Sequence, residues 1–140
     1  MVSNSILQPA VVVMLLTGVV WLHMYILRNK YVLSNKINPQ KISSPELINS
    51  ILPEQINRPS NNLKNLFELP VIFYAICIAL HSIGQVDEWF IGLAWAFALL
   101  RVLHSFIQCT FNKVLARFAV YFISSVILWI MVVKFAILVF

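Results

Sequence analysis

Charged residues are scarce in this chain of 140 residues. They make up 11% of the sequence, whereas 61% is hydrophobic, and the mean hydropathy is +0.87. Soluble domains average about a quarter charged and about half apolar residues, so this balance excludes an ordinary soluble domain. At this length we expect a single domain over residues 1–140, and an integral membrane protein.

Cysteine is also sparse. Cys77 and Cys109 both fall in or beside apolar runs, and neither belongs to a CxxC or Cys/His spacing. This pattern argues against a disulfide framework and a zinc site, so we expect two buried thiols and no metal. The N-terminus lacks the basic start and the small-residue cleavage site of a signal peptide, which favours a retained first span.

Four apolar stretches are long enough to cross a bilayer as helices, for which about 20 residues are needed. Helices are required because the hydrocarbon core offers no partner for unpaired backbone groups. The sequence therefore predicts an all-α integral membrane protein with a four-helix transmembrane bundle. The predicted spans are residues 6–27, 66–83, 89–107 and 114–139.

Proline recurs along the polar connection that follows the first span, residues 28–64. The connection holds Pro39, Pro45, Pro53 and Pro59. Because proline interrupts helices, we predict an irregular connection with one short helix at about residues 45–52. Pro70, by removing the hydrogen bond to the Leu66 carbonyl, predicts a kink in the second span.

Lysine and arginine are distributed unevenly along the chain. The first and third connections are basic, whereas the second holds Asp87 and Glu88 and has no lysine or arginine. The positive-inside rule then predicts both termini on the periplasmic or lumenal side of a bacterial inner membrane or an endomembrane. Topology accounts for the net charge of +5, so no nucleic-acid partner is expected. Lys134 is expected to snorkel to the surface opposite the basic connections.

Polar residues form three stripes at the predicted cytoplasmic ends of the last three spans. Residues three or four apart share one face of a helix. The stripes are Asn61, Asn65 and Glu68; Arg101, His104 and Gln108; and Arg117 and Tyr121. An arginine at the membrane edge binds carboxylates or phosphates and lowers the pKa of a nearby thiol. Since neither cysteine is placed on this face, thiol chemistry would require a thiol cofactor.

The same residues also have a purely structural interpretation. Arg101 lies about 10 Å inside the end of its helix, where an isolated charge costs about 3 kcal/mol or more. An ion pair with Glu68 would offset that cost, and Arg101 alone could snorkel to the headgroups. His104, Arg117 and Tyr121 favour a ligand site, because one ion pair requires no further cationic groups and no phenol.

These motifs resemble those of the MAPEG superfamily, the membrane-associated proteins in eicosanoid and glutathione metabolism. The resemblance covers nearly the whole chain and includes the four spans and the basic first connection. Its motifs are Asn65-x-x-Glu68, Arg101-x-x-His104 and Arg117-x-x-x-Tyr121. The resemblance implies a homotrimer that binds glutathione between neighbouring subunits near the cytoplasmic surface, with a lipophilic substrate entering from the bilayer.

The resemblance also implies an activity and roles for individual residues. The activity is that of a glutathione-dependent transferase or peroxidase acting on a lipophilic electrophile. Arg117 would stabilise the glutathione thiolate and is the expected catalytic residue. The expected glutathione-binding residues are Asn65, Glu68, Arg101, His104, Tyr121 and Arg28.

Two other functions remain open from the sequence. A non-catalytic lipid-binding or scaffold member is favoured by Asn61 and Gln108, where the family's enzymes usually carry arginine and tyrosine. A small transporter would use Glu68, Arg101 and His104 as a proton relay. That third hypothesis is the weakest, because the three residues lie near one surface and no broken helix marks the middle of the membrane.

Overall fold

The computed structural model describes residues 5–140, and this part of the chain contains helices and turns but no β-strand. Helix α1 covers Leu7–Ser34 and is followed by a short 3-10 helix at Pro39–Ile42. The remaining helices are α2 at Pro45–Ile51, α3 at Glu54–Leu66, α4 at Leu69–Ile83, α5 at Glu88–Cys109 and α6 at Val114–Val139.

Four helical segments are long and apolar enough to cross a membrane. They are Leu7–Ser34, Glu54–Ile83, Glu88–Cys109 and Val114–Val139. The prediction of an all-α, four-helix transmembrane protein is thereby confirmed. The second segment combines α3 and α4, because the 15 residues of α4 measure only about 22 Å at 1.5 Å per residue. The hydrocarbon core of a bilayer is about 30 Å thick.

The spanning helices form a four-sided bundle. α1 packs against α4 and α5, and α6 packs against the same two helices. α4 and α5 therefore lie across from each other and meet in the centre, where the ring centroids of Phe73 and Phe97 are 4.5 Å apart. α3 packs against α1 and α5, next to the connection between α5 and α6. We call that end of the bundle the Arg117 end.

The connection after the first span is more helical than predicted. α1 continues beyond residue 27 to Ser34, and α3 occupies residues that were expected to be irregular. The prediction of an irregular connection over residues 28–64 is therefore wrong for most of that range, although the short helix near residue 45 is present as α2. Pro59 lies inside α3, where its missing N–H deprives only the Gln55 carbonyl of a helical partner. Packing against α1 supplies stability that the local sequence does not.

The second span is interrupted between Leu66 and Pro70, the stretch in which Pro70 predicted a kink. Helical geometry is lost at Phe67 and Glu68, and Glu68 has φ −92° and ψ −103°. Pro70 lies in the first turn of α4, where proline is favoured because no helical bond needs its missing N–H. Asn65 and Glu68 thus belong to different helical segments, and the expectation that they share one helical face is wrong.

The other end of the bundle, which we call the Asp87 end, holds the connection between α4 and α5. Gly84, with φ +68°, terminates α4 in a left-handed conformation that glycine adopts without strain. Asp87 caps α5 by accepting a hydrogen bond from the Phe90 N–H at 2.8 Å. Lys134 of α6 donates to the Asp87 carboxylate and lies 4.3 Å from the centroid of the Phe90 ring. Lys134 therefore lies at the end opposite to Arg117.

Candidate functional site

A cavity of about 460 Å³ opens at the Arg117 end, between α3, α5 and α6. The volume falls within the range of about 300–1,000 Å³ that is typical of ligand pockets. Predicted site residues in its wall are Asn65, Glu68, His104, Arg117 and Tyr121. Polar residues Asn61, Lys64 and Gln108 and apolar residues Val114 and Phe118 complete it.

A tight turn between α5 and α6 brings Arg117 to the cavity. Asn112 has φ +48°, a left-handed conformation that asparagine tolerates better than most residues. Its N–H donates to the Ile107 carbonyl at 2.8 Å and so closes the end of α5. The chain reverses direction here, and Arg117 in the first turn of α6 returns beside the last turns of α5.

Gln108 links α3 to α5 at the back of the cavity. Its Oε1 accepts a hydrogen bond from Asn65 Nδ2 at 3.0 Å and lies 2.9 Å from His104 Nε2. His104 Nδ1 donates to the Arg117 carbonyl at 3.2 Å, because a carbonyl oxygen can only accept. His104 is 2% exposed, and its two ring nitrogens contact the Arg117 carbonyl and Gln108 Oε1, so the ring packs between α6 and the end of α5.

Tyr121 contacts both Glu68 and Arg101, the two oppositely charged residues that were considered as an ion pair from the sequence. Its hydroxyl donates to Glu68 Oε2 at 3.5 Å, and the guanidinium carbon of Arg101 lies 4.6 Å from its ring centroid. Arg101 also lies 5.1 Å from the centroid of the Phe97 ring. Among residues 5–140 the ion pairs are Arg58 with Glu54 and Lys134 with Asp87. The Arg101 ion pair with Glu68 that we considered from the sequence is therefore not formed.

Arg101 and Arg28 do not line the cavity. Arg101 is completely buried, and its three guanidinium nitrogens have no hydrogen-bond partner within the described chain. Arg28 lies on α1, and its Nε is buried and equally unpartnered among residues 5–140. The structure thus gathers five of the predicted residues at one wall and leaves these two arginines outside it.

Three polar residues that the structure places in or beside the cavity were given no binding role from the sequence. Lys64 lines the cavity and could have been found by its position one turn before Glu68. Gln108 was treated as a departure from the family, yet it is the centre of a hydrogen-bonded group. Asn112 accepts a hydrogen bond from Arg117 at 2.7 Å, and no helical spacing could have identified a residue in a turn.

Fold and cavity together define a multi-pass membrane bundle with a polar cavity at one end. The family model for the MAPEG family matches residues 6–137. The chain therefore belongs to the MAPEG family, membrane proteins of eicosanoid and glutathione metabolism, and the resemblance found in the sequence is confirmed. No curated protein and no solved structure matches this chain.

Proposed function

We propose that this protein is a membrane-embedded, glutathione-dependent transferase or peroxidase that acts on a lipophilic electrophile. The observation that carries the proposal is the cavity at the Arg117 end of a chain that belongs to the MAPEG family. One wall of this cavity combines guanidinium, ammonium, carboxylate and amide groups.

The cavity wall suits the chemistry of glutathione, which has two carboxylates, one ammonium group, two peptide groups and a thiol. Lys64 and Arg117 provide positive charge for carboxylates or a thiolate, and Glu68 provides negative charge for the ammonium group. The amides of Asn61 and Asn65 can both donate and accept, as binding to peptide groups requires. The family's enzymes usually carry arginine at the position of Asn61. Here Lys64, which also lines the cavity, supplies a cation nearby.

Arg117 would perform the main catalytic task. When bound, glutathione supplies a thiolate that attacks an electrophilic carbon or reduces a peroxide. A guanidinium within about 4–6 Å of the thiol lowers its pKa by about 1–3 units, because the positive charge favours the ionised form. His104 supports this role by binding the backbone carbonyl of Arg117.

The lipophilic substrate would reach the cavity from the membrane. Val114 and Phe118 line the cavity and are 65% and 61% exposed, so α6 gives the cavity an apolar edge towards lipid. Arg101 and Arg28 would take part only if a second copy of the chain completed the site. That arrangement is consistent with the homotrimer that the family resemblance implies.

The test compares Arg117→Ala with Lys113→Ala, which removes an exposed cation beside the cavity. We expect glutathione to raise the thermal stability of detergent-solubilised wild type and Lys113→Ala. Arg117→Ala should lose turnover by about 10²–10³-fold, as expected when one preorganised donor to a developing anion is removed. The proposal is refuted if glutathione does not stabilise the wild type, or if Arg117→Ala keeps the wild-type turnover.

A non-catalytic scaffold member of the family is the second candidate. It is favoured by one observation, the internal hydrogen bond from Asn65 to Gln108, which links α3 to α5. This candidate predicts that Glu68→Ala lowers the stability of the solubilised protein equally with and without glutathione. A destabilisation that glutathione changes would favour the enzyme.

A further inference from the structure

A chain of hydrogen bonds on the outer side of the site ends at Arg117. Nη1 of Arg117 donates to Oδ1 of Asn112 at 2.7 Å, and Nδ2 of Asn112 donates to Oε1 of Glu54 at 2.9 Å. The same Glu54 oxygen accepts from Nε of Arg58 at 3.4 Å. One asparagine side chain therefore connects the start of α3 to the start of α6.

We infer that Asn112 is a positioning residue for Arg117, which holds the guanidinium in place without neutralising its charge. The inference rests on the proposed function, because it concerns how Arg117 would stabilise a bound thiolate. Asn112 does not line the cavity, so its effect must pass through Arg117.

The direction of the Asn112 amide follows from its two neighbours. A guanidinium can only donate hydrogen bonds and an ionised carboxylate can only accept them. The amide must therefore turn its oxygen to Arg117 and its nitrogen to Glu54. The reversed amide would bring N–H groups together at one end and two oxygens together at the other.

The neutrality of this link preserves the charge that the proposed chemistry needs. A carboxylate in direct contact with Arg117 would offset the positive charge and raise the pKa of a thiol bound beside it. Through Asn112, Glu54 orients the guanidinium from a greater distance. Within residues 5–140 neither Nε nor Nη2 of Arg117 makes a hydrogen bond, so both can bind a ligand.

The backbone around Asn112 is held independently of its side chain. Its N–H is bonded to the Ile107 carbonyl, and Nη1 of Arg58 donates to the Thr110 carbonyl at 2.6 Å. The turn is therefore attached to both α5 and α3. A change of the Asn112 side chain that tolerates its left-handed backbone should leave the turn in place.

The decisive variant combines Asn112→Asp with Glu54→Gln. It keeps the net charge and both hydrogen bonds, since the new glutamine amide can donate to the new carboxylate, but it moves the negative charge next to Arg117. The matched control combines Asn49→Asp with Glu46→Gln, which makes the same exchange on the exposed surface of α2. Asn112→Gly removes the amide and retains the left-handed backbone.

The measurements are the pH dependence of thiolate absorbance for glutathione bound to the full-length protein, and kcat and KM for a lipophilic electrophile. We expect the Asn112→Asp, Glu54→Gln variant to raise the thiol pKa by about one unit and to lower kcat about tenfold, with KM and thermal stability little changed. Asn112→Gly should lower kcat severalfold. The control should match wild type.

The possible results separate the inference from the proposed function. If wild type binds no glutathione, the proposed function fails and the inference fails with it. If wild type binds glutathione and lowers its thiol pKa, but the charge-exchange variant and Asn112→Gly keep the wild-type pKa and kcat, the inference alone is overturned. Should the charge-exchange variant fail to fold, wild-type kcat in Asn112→Gly would overturn the inference and a severalfold loss would support it.

Discussion

The two ends of the bundle accommodate charge in different ways. At the Asp87 end, Lys134 bonds directly to Asp87, and the two side chains are 35% and 51% exposed. At the Arg117 end, Arg58 pairs with Glu54, whereas Arg101 and Arg117 contact no carboxylate directly. Arg101 lies against aromatic rings and Arg117 bonds to an amide.

This difference distinguishes a structural use of charge from one that suits a binding site. An exposed ion pair satisfies both charges and typically contributes less than about 1 kcal/mol. Arginines held by neutral groups keep a positive charge that can act on a ligand, although burial makes that charge costly. The unpaired positive charges at the Arg117 end thus lower the stability of the fold but maintain a positive potential. At the Asp87 end the positive charge is neutralised by its ion pair.

Replacing Gln108 should have the largest effect on stability. Gln108→Ala removes the partner that half-buried Asn65 shares with Nε2 of buried His104, and leaving a polar group unpaired costs about 1–3 kcal/mol. We expect the free energy of unfolding in detergent micelles to fall by about 2–4 kcal/mol. Gln85→Ala, at the exposed Asp87 end, is the control and should change it by about 0.5 kcal/mol or less. Equal effects at the two positions would contradict the comparison.

Replacing Arg101 should have a smaller effect of opposite sign. Its nitrogens have no hydrogen-bond partner within the described chain, so Arg101→Met removes a costly buried charge and retains apolar contact with Phe97 and Tyr121. We expect the free energy of unfolding, measured by chemical denaturation in micelles, to rise by about 1–2 kcal/mol. A loss of stability would show instead that the guanidinium finds an acceptor outside this chain, in a second copy or a bound molecule.

At the Asp87 end, the helix cap should matter more than the ion pair. Asp87→Ala removes both the cap on Phe90 and the partner of Lys134, and should cost about 1 kcal/mol. Asp87→Asn keeps an acceptor for the Phe90 N–H and loses only the charge, so we expect a smaller loss. The thermal unfolding of both variants measures this, and an equal loss for both would assign the stability to the ion pair.

Acid should weaken the Asp87 end slightly. Desolvation raises the pKa of Asp87, but the hydrogen bond from Lys134 and that from the Phe90 N–H outweigh it, so the net pKa is lowered. Because the folded pKa lies below the unfolded value of about 3.9, this contribution is complete above about pH 4 and is lost as pH falls through the folded pKa. Lys134→Ala should therefore reduce the acid sensitivity of thermal unfolding below about pH 4. If the acid sensitivity of Lys134→Ala equals that of the wild type, the pair of Lys134 and Asp87 does not contribute to it.

The fold could be predicted from the sequence because a membrane imposes strict requirements. About 20 apolar residues in a row must form a helix in hydrocarbon, so the four-helix class followed from composition and run length. The connection over residues 28–64 could not be predicted in the same way. Prolines and polar residues indicated irregular structure, whereas packing against α1 stabilises α3 even with Pro59 inside it.

The site was predicted only where its residues follow helical spacing. His104 and Gln108 are four apart on α5, as are Arg117 and Tyr121 on α6, and all four line the cavity. Glu68 reaches the same cavity for a different reason, because the helix is interrupted beside it.

The sequence by itself determined the membrane class, the four spans and membership of the MAPEG family, because these depend on runs of apolar residues and on short motifs. Only the tertiary structure decided which partner each charge has. Asn112 and Glu54 are 58 positions apart in the chain, and no periodicity relates a turn residue to the start of another helix. Helix packing brings them together, and the pairing leaves Arg117 oriented by an amide and still positively charged.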